Sequence, residues 1–213
     1  METRGRVTAR FKQGCCLGDL ILLSGAAVYL GKQLGGVRII CSDYCLDSSR
    51  ALFANHPYVE VCCGFNEAST NQRYRKLVDV NDSNAIIRAL EATPMLWYKQ
   101  LSVPFKELWD SCPIPELVES IAPSQESVVF IHDDHSRNQN IDIEGYRPPL
   151  TSNILDHVPM IKAAREIHCM NSCFYHLVES MPQVSGDLFY HAYVRHPYPD
   201  LPMRHPWQVI VKR

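Results

Sequence analysis

The 213-residue sequence lacks the features that mark membrane, secreted and general nucleic-acid-binding proteins. No stretch approaches the roughly 18 apolar residues of a membrane span, and the longest candidate, 17–34, contains Asp19 and Lys32. The N-terminal residues lack the apolar core of a signal peptide. A formal net charge of -2 gives no basic surplus for binding nucleic acids. We therefore expect a cytoplasmic protein with no membrane span and no nucleic-acid partner.

Two local signatures are also missing. The sequence has neither the C-x2-C spacing of thiol redox proteins nor the G-x-G-x-x-G loop of dinucleotide-binding proteins. Its nine cysteines are an odd number without a signal peptide, which favours reduced thiols. A zinc site using Cys169, Cys173 and nearby histidines is conceivable, but buried apolar thiols are the favoured interpretation. We therefore expect no structural metal and no redox function.

The hydrophobic pattern of the first half alternates between strands and helices. Such an order predicts a parallel sheet with right-handed crossovers, a Rossmann-like half. A strand at 76–80 and a helix at 82–91 should follow, and the aromatic segment 94–109 should pack in the core. The main predicted elements are strands at 7–13, 37–41 and 59–63 and helices at 20–34 and 47–54.

A second series of elements begins near residue 127 and repeats this alternation. We expect strands at 127–131, 167–170 and 188–195, a possible strand at 141–143, and helices at 154–164 and from about 173. The fold class is therefore α/β, with two small Rossmann-like halves that contain parallel sheets. The predicted domains are 1–110 and 125–213.

The segment 166–179 joins a predicted strand to a predicted helix through a polar turn. Asn171 and Ser172 are typical helix N-cap residues, and His176 should lie one turn inside the helix. A helix that starts after a strand offers backbone N–H groups and a partial positive charge to a phosphate or diphosphate. An ordinary capped helix without a ligand is the alternative interpretation.

Two other polar clusters should follow predicted strands. Asp19 is either a first-turn helix acid or a general base for a hydroxyl group. Asp133 and Asp134 follow a buried strand, where they could hold a divalent metal or sugar hydroxyls, or form a solvated turn. Arg137 could bind phosphate or lie at the surface. Because ligands of open α/β sheets bind beyond the carboxyl ends of strands, the three clusters together favour a site.

The same residues resemble a known family. Residues 18–22, Gly-Asp-Leu-Ile-Leu, look like the Gly-Asp-aliphatic turn near the N-terminus of GT-B glycosyltransferases of the heptosyltransferase type. Residues 171–177, Asn-Ser-Cys-Phe-Tyr-His-Leu, resemble the Asp-[Ser/Thr]-Gly-x-x-His-Leu turn of their nucleotide-sugar half. Segments 103–109, 130–134 and 205–207 are similar to little-characterised bacterial and viral glycosyltransferase-like proteins.

The resemblance implies an inverting sugar transfer that requires no metal cofactor. A nucleotide-diphosphate sugar would be the donor, and a glycan or another hydroxyl compound would be the acceptor. Asp19 would be the catalytic base, and the donor-binding residues would be Arg137, Asn171, Ser172, Cys173 and His176. Asn171 and Cys173 depart from the family pattern, which has an acid and a glycine there.

Two alternatives stay open at this point. A metal-dependent GT-A glycosyltransferase would bind manganese or magnesium through Asp133 and Asp134, which are also possible donor contacts. A non-catalytic nucleotide- or carbohydrate-binding protein would bind the donor without turnover.

Overall fold

The fold is known from a computed structural model, which describes residues 7–10, 17–41, 43–63, 75–78, 86–89, 93–149, 151 and 153–211. The chain is a mixed α/β protein with parallel sheets, and it divides into two compact units, Met1–Pro113 and Ile114–Arg213. The domains expected from the sequence were 1–110 and 125–213. Each unit is described by itself below.

The first unit contains the predicted parallel sheet. Strands β1 (Val7–Arg10), β2 (Val37–Cys41) and β3 (Val59–Cys63) pair in parallel in that order. Helix α1 (Leu17–Leu34) connects the first two strands and helix α2 (Leu46–Leu52) precedes the third. These pairings confirm the predicted parallel strands, although residues 11–13 of the first predicted strand lie outside the described residues.

Helix α1 is buried on nearly all sides, as its continuous apolar sequence predicts. Helices α3 (Pro94–Gln100) and α4 (Glu107–Asp110) pack against it. The buried hydroxyl of Tyr98 accepts from the amide of Ala26 at 3.2 Å and donates to the carbonyl of Leu22 at 2.9 Å. A Cβ atom at Gly25 would lie 2.0 Å from the carbonyl oxygen of Glu107, so the close approach of α4 requires glycine there.

The segment after β3 differs from the prediction. Strand β4 (Arg75–Val78) pairs antiparallel with strand β5 (Ile86–Ala89). The predicted helix at 82–91 is therefore wrong over 86–89, where the β-branched pair Ile86-Ile87 suits a strand. Residues 79–85 and 90–92 lie outside the described residues.

The second unit contains a four-stranded parallel sheet with a helix after its second strand. The strands pair in sequence order, so the second and third strands are central. The elements are β6 (Val129–His132), β7 (Glu166–Cys169), β8 (Asp187–His191) and β9 (Gln208–Ile210), with helices α5 (Ile114–Glu119), α6 (Val158–Ala163) and α7 (Cys173–Ser180).

Two strand predictions in this unit need correction. The predicted strand 188–195 ends at His191, and the last strand of the sheet is β9. Residues 141–143 form an irregular loop instead of a strand. The guanidinium of Arg147 donates to the carbonyl oxygens of Ile141 at 2.7 Å and Ile143 at 3.2 Å, so a side chain binds carbonyls that a neighbouring strand would otherwise bind.

Side chains alternate between the two faces of this sheet. On the helix face, Phe130 contacts the ring of Phe174 and Tyr190 contacts the ring of Tyr175, both from α7. The far face carries His168 and its neighbours on β8, and the ring of His168 stacks on Phe189 at 4.5 Å. The helix face is thus filled by aromatic contacts, whereas the far face carries polar rings between apolar ones.

None of the helices in the described part of the chain is both long enough and apolar enough to cross a bilayer.

Candidate functional site

The turn between β7 and α7 lies at the carboxyl end of a central strand. Ser172 is the N-cap of α7, and its hydroxyl accepts from the amide of Tyr175 at 3.3 Å. Its carbonyl oxygen accepts from the amide of His176 at 3.1 Å. The amides of Cys173 and Phe174 come before those of Tyr175 and His176. The first amides of a helix have no carbonyl partner four residues earlier within that helix. The turn therefore has the backbone geometry of an anion site, as well as that of an ordinary cap.

The C-terminal segment covers this turn. The side-chain amide of Asn171 donates to the carbonyl oxygen of His196 at 2.9 Å. The ring of Tyr198 stacks over His176 with 6.1 Å between ring centroids. Asn171 and Ser172 are both buried, and each uses its side chain for a bond within the protein. A ligand at this turn would consequently meet the backbone of α7 and the segment 196–198 first.

His176 lies one turn inside α7, as predicted, and is 3% exposed. Among the described residues, nothing hydrogen-bonds its buried Nδ1 atom. Burial and, to a lesser extent, the positive charge of Arg195 together lower the pKa of His176 to about 3. The ring is therefore neutral near pH 7. It can offer a hydrogen bond to a ligand, but not a charge.

The carboxylate of Glu179 holds the same C-terminal segment at the other end of α7. Glu179 is fully buried and accepts from the indole of Trp207 at 2.6 Å. It also accepts from the amides of Arg204 at 2.5 Å and His205 at 3.2 Å. Glu179 was not predicted as a functional residue, although a single acid within an apolar helix face is a usable signal.

Two further histidines pack beside α7. The ring of His132, the last residue of β6, lies 4.4 Å from the ring of Phe174, and that of His157 lies 5.3 Å from it. Burial outweighs the opposing charges of Asp133 and Asp134, and the pKa of His132 is lowered to about 4. The sequence placed His132 at a strand end without giving it a role.

Asp133 is bound within the protein. Its side chain is 3% exposed, accepts from the amide of Ile141 at 3.0 Å, and pairs with Arg147 at 3.2 Å and His135 at 3.3 Å. Burial raises the pKa of Asp133, but the Ile141 amide and the Arg147 guanidinium outweigh burial, so the pKa lies below its usual value. Arg147 was not predicted as a site residue, because it is distant in sequence from Asp133.

Asp134 and Arg137 bind one another in the next turn. The carboxylate of Asp134 lies 3.3 Å from Nε of Arg137 and accepts from the hydroxyl of Ser136 at 2.5 Å. The Ser136 bond, the charge of Arg137 and nearby amides lower the pKa of Asp134. The side chain of Arg137 is 69% exposed. Asp133 and Asp134 thus turn to different partners, and the described residues contain no group of three His, Cys, Asp or Glu side chains placed to hold a metal ion.

An open pocket of about 600 Å³ adjoins the Asp133–Arg147 pair. It is lined by His135, Arg147 and the loop 140–144, which contributes Asp142 and Glu144. Two acids line this pocket, and its arginine is already paired with Asp133, which disfavours a diphosphate there.

Asp19 is the third residue of α1 in the first unit, and it is 2% exposed. Its carboxylate lies in the first helical turn, where the helix dipole favours a negative charge. In the second unit, the structure brings Asn171, Ser172, Cys173 and His176 together at one helix end. Asp134 and Arg137 are bonded to one another within their own turn.

A comparison of the chain with protein-family models, curated proteins and solved structures gives no match.

Proposed function

We propose that this protein is a compact GT-B-type glycosyltransferase, which moves a sugar from a nucleotide-diphosphate sugar to a hydroxyl acceptor. The observation that carries the proposal is the start of α7 at the carboxyl end of β7, a central strand of a parallel sheet. Ligands of open parallel sheets bind at that edge. The dipole and the first amides of a helix suit a diphosphate.

Charge and hydrogen-bonding groups around α7 support a diphosphate there. Arg195 lies close enough to His176 to lower its pKa, and a guanidinium is a strong phosphate ligand. The neutral ring of His176 would hydrogen-bond the phosphate oxygens once the ring of Tyr198 moves. The proposed donor therefore replaces contacts that the segment 196–198 makes with Asn171 and His176.

The proposed reaction is a single displacement. A general base takes the proton from the acceptor hydroxyl as its oxygen bonds to the anomeric carbon of the sugar, and the family resemblance assigns this role to Asp19. The bond from that carbon to the diphosphate breaks, and the diphosphate leaves with its electron pair. The amides of Cys173 and Phe174 and the dipole of α7 stabilise the negative charge of the leaving group. No metal ion is needed in this scheme.

A non-catalytic nucleotide-sugar-binding protein is the second candidate. The burial of Asp19 favours it, because a general base must reach the acceptor hydroxyl. A metal-dependent GT-A reaction at Asp133 and Asp134 has less support, since each carboxylate is bonded to an arginine. Calorimetric titration with nucleotide-diphosphate sugars, with and without manganese, separates the metal-dependent scheme from the other two.

Replacement of Asp19 tests the catalytic proposal. We expect Asp19→Asn to reduce sugar transfer by about 10²- to 10⁴-fold, the usual contribution of a general base, and to leave donor affinity nearly unchanged. Turnover is measured as release of the nucleotide diphosphate in the presence of acceptor. The control is Asp110→Asn, which removes an exposed acid of the same unit. Donor binding without turnover in the wild-type protein would support the binding protein instead.

A further inference from the structure

The far face of the second sheet carries a chain of four hydrogen-bonded titratable groups. Oε2 of Glu166 lies 3.3 Å from Nε2 of His168. Nδ1 of His168 lies 3.0 Å from Nε2 of His191, and Nδ1 of His191 lies 3.1 Å from the hydroxyl of Tyr193. Both imidazoles are buried, whereas the carboxylate of Glu166 is 35% exposed. The proposed sugar transfer uses none of these groups.

The order of partners sets the direction of every hydrogen bond. An ionised carboxylate only accepts, so Nε2 of His168 carries a proton toward Glu166. In a neutral ring Nδ1 then accepts, and Nε2 of His191 is the donor. Nδ1 of His191 accepts in turn, and the hydroxyl of Tyr193 donates to it. All three bonds therefore point from Tyr193 toward Glu166.

We propose that the His168–His191 pair binds one proton and passes it between Tyr193, beyond the carboxyl end of β8, and Glu166, at the amino end of β7. A proton added at Nδ1 of His191 displaces the proton on Nε2 of that ring to Nδ1 of His168. The proton on Nε2 of His168 then moves to the carboxylate of Glu166. The donor and acceptor of all three hydrogen bonds are then exchanged, and the four groups together carry one more proton.

The pair accepts one proton, because a second would break the bond between the rings. With His191 charged, Nε2 still donates to His168 and Nδ1 donates to the oxygen of Tyr193. A second proton on Nδ1 of His168 would place two donors and two positive charges at a separation of 3.0 Å. The two rings should therefore titrate as one coupled site.

Apolar and charged groups surround this series: burial lowers the pKa of His168, whereas its hydrogen bond to Glu166 raises it. Phe189 stacks on His168 with an angle of 7° between the rings. The buried Ile131 on β6 is the register partner of His168. Arg165 pairs with Glu166 at 3.5 Å, and Asp187 is the register partner of Glu166 on β8. Burial and the charges of Asp142 and Asp133 raise the pKa of Tyr193, so its hydroxyl keeps its proton.

The consequence concerns the edge of the sheet at which ligands bind. Tyr193 lies beyond the carboxyl end of β8. The hydrogen bonds through His191 and His168 connect it to Glu166 at the opposite edge of the sheet, and a proton can follow this route. Tyr193 can thus donate a proton to a ligand at that edge and regain one from Glu166. This inference does not depend on sugar transfer.

Nitrogen NMR of the full chain labelled with ¹⁵N-histidine tests the proposal directly. With each ring assigned through bonds to its backbone, we expect His168 and His191 to carry the proton on Nε2 at neutral pH. Acidification should shift both rings with a common midpoint and a combined uptake of one proton. Separate titrations of one proton each, or a neutral His168 with its proton on Nδ1, would overturn the proposal.

Two conservative variants sharpen the test. Glu166→Gln offers His168 a donor as well as an acceptor, so the fixed tautomers of both rings should be lost. The control Asp187→Asn removes the neighbouring exposed acid and should leave the tautomers unchanged. Tyr193→Phe should lower the common midpoint by about half a pH unit to one, because a charged imidazole loses more from the missing hydroxyl than a neutral one does. Tautomers unchanged in Glu166→Gln, or a midpoint unchanged in Tyr193→Phe, would contradict the proposal.

Discussion

The two faces of the second sheet use histidine in different ways. On the helix face, His132 and His176 pack against aromatic rings, and within the described residues the Nδ1 atoms of both lack a hydrogen bond. On the far face, His168 and His191 are bonded to each other and to groups at both ends. The difference teaches that burial alone does not set the role of a histidine. Burial lowers the pKa of His132 and His176 and keeps both rings neutral, whereas the pair on the far face has hydrogen-bond partners at both ends.

The helix face depends most on a carboxylate, so removal of Glu179 should have the largest effect. Glu179→Ala leaves the indole of Trp207 and the amides of Arg204 and His205 without their buried acceptor. We expect a loss of about 3 kcal/mol or more in the free energy of unfolding, measured by urea denaturation.

The control for that variant is Glu119→Ala, an exposed acid of α5. It should change the free energy of unfolding by less than about 0.5 kcal/mol. Equal stabilities for the two variants would mean that Glu179 does not hold the C-terminal segment against α7.

A matched pair of phenylalanine variants compares the two faces next. Phe174 contacts the rings of Phe130, His132 and His157, whereas the half-buried Phe189 stacks on His168. We expect Phe174→Leu to cost about 1.5 kcal/mol in the free energy of unfolding, and Phe189→Leu about half as much. Thermal or urea unfolding measures both, and the reverse order would contradict the aromatic support assigned to the helix face.

Acidification tests the neutral histidines of the helix face. The pKa values of about 4 for His132 and about 3 for His176 lie below that of an unfolded histidine, about 6.5. The unfolded chain thus binds more protons, and stability is full above pH 6.5 and falls as the pH decreases toward the folded pKa values. Each ring contributes a slope of at most about 1.4 kcal/mol per pH unit.

His176→Phe isolates one of these contributions. Between pH 6 and 4.5 the slope of unfolding free energy against pH should be smaller in this variant by up to about 1.4 kcal/mol per pH unit. Asp133 and Asp134, with lowered pKa values, lose their contribution only at more acidic pH. An unchanged slope would show that His176 is not held neutral by burial.

The parts of the fold that follow from local pattern were predictable. The apolar run Val37–Cys41 is a parallel strand, the strand predicted at 167–170 is found at Glu166–Cys169, and Ser172 caps α7 as the sequence indicated. Each of these depends on neighbouring residues only. The strand Ile86–Ala89 was predicted as a helix, because a four-residue strand owes its form to its pairing partner more than to its own period.

The partners of the polar residues were not predictable in the same way. Asp133 and Asp134 are adjacent in sequence, yet one binds Arg147 and the other binds Arg137. The link between His168 and His191 spans 23 residues and arises from the pairing of β7 with β8. Such contacts require the register of the sheet, which hydrophobic periodicity does not specify.

The most direct test of a diphosphate site at the start of α7 removes one amide hydrogen. Cys173 is the first helical residue, where proline is well tolerated, and Ser172 before it has the extended backbone that proline requires. Cys173→Pro therefore deletes one N–H group without breaking the helix, and Cys173→Ala is the control that keeps it. By calorimetric titration with nucleotide-diphosphate sugars, we expect the proline variant to bind at least about tenfold more weakly than the alanine variant. Equal affinities in the two variants would contradict the assignment of the diphosphate to this helix end.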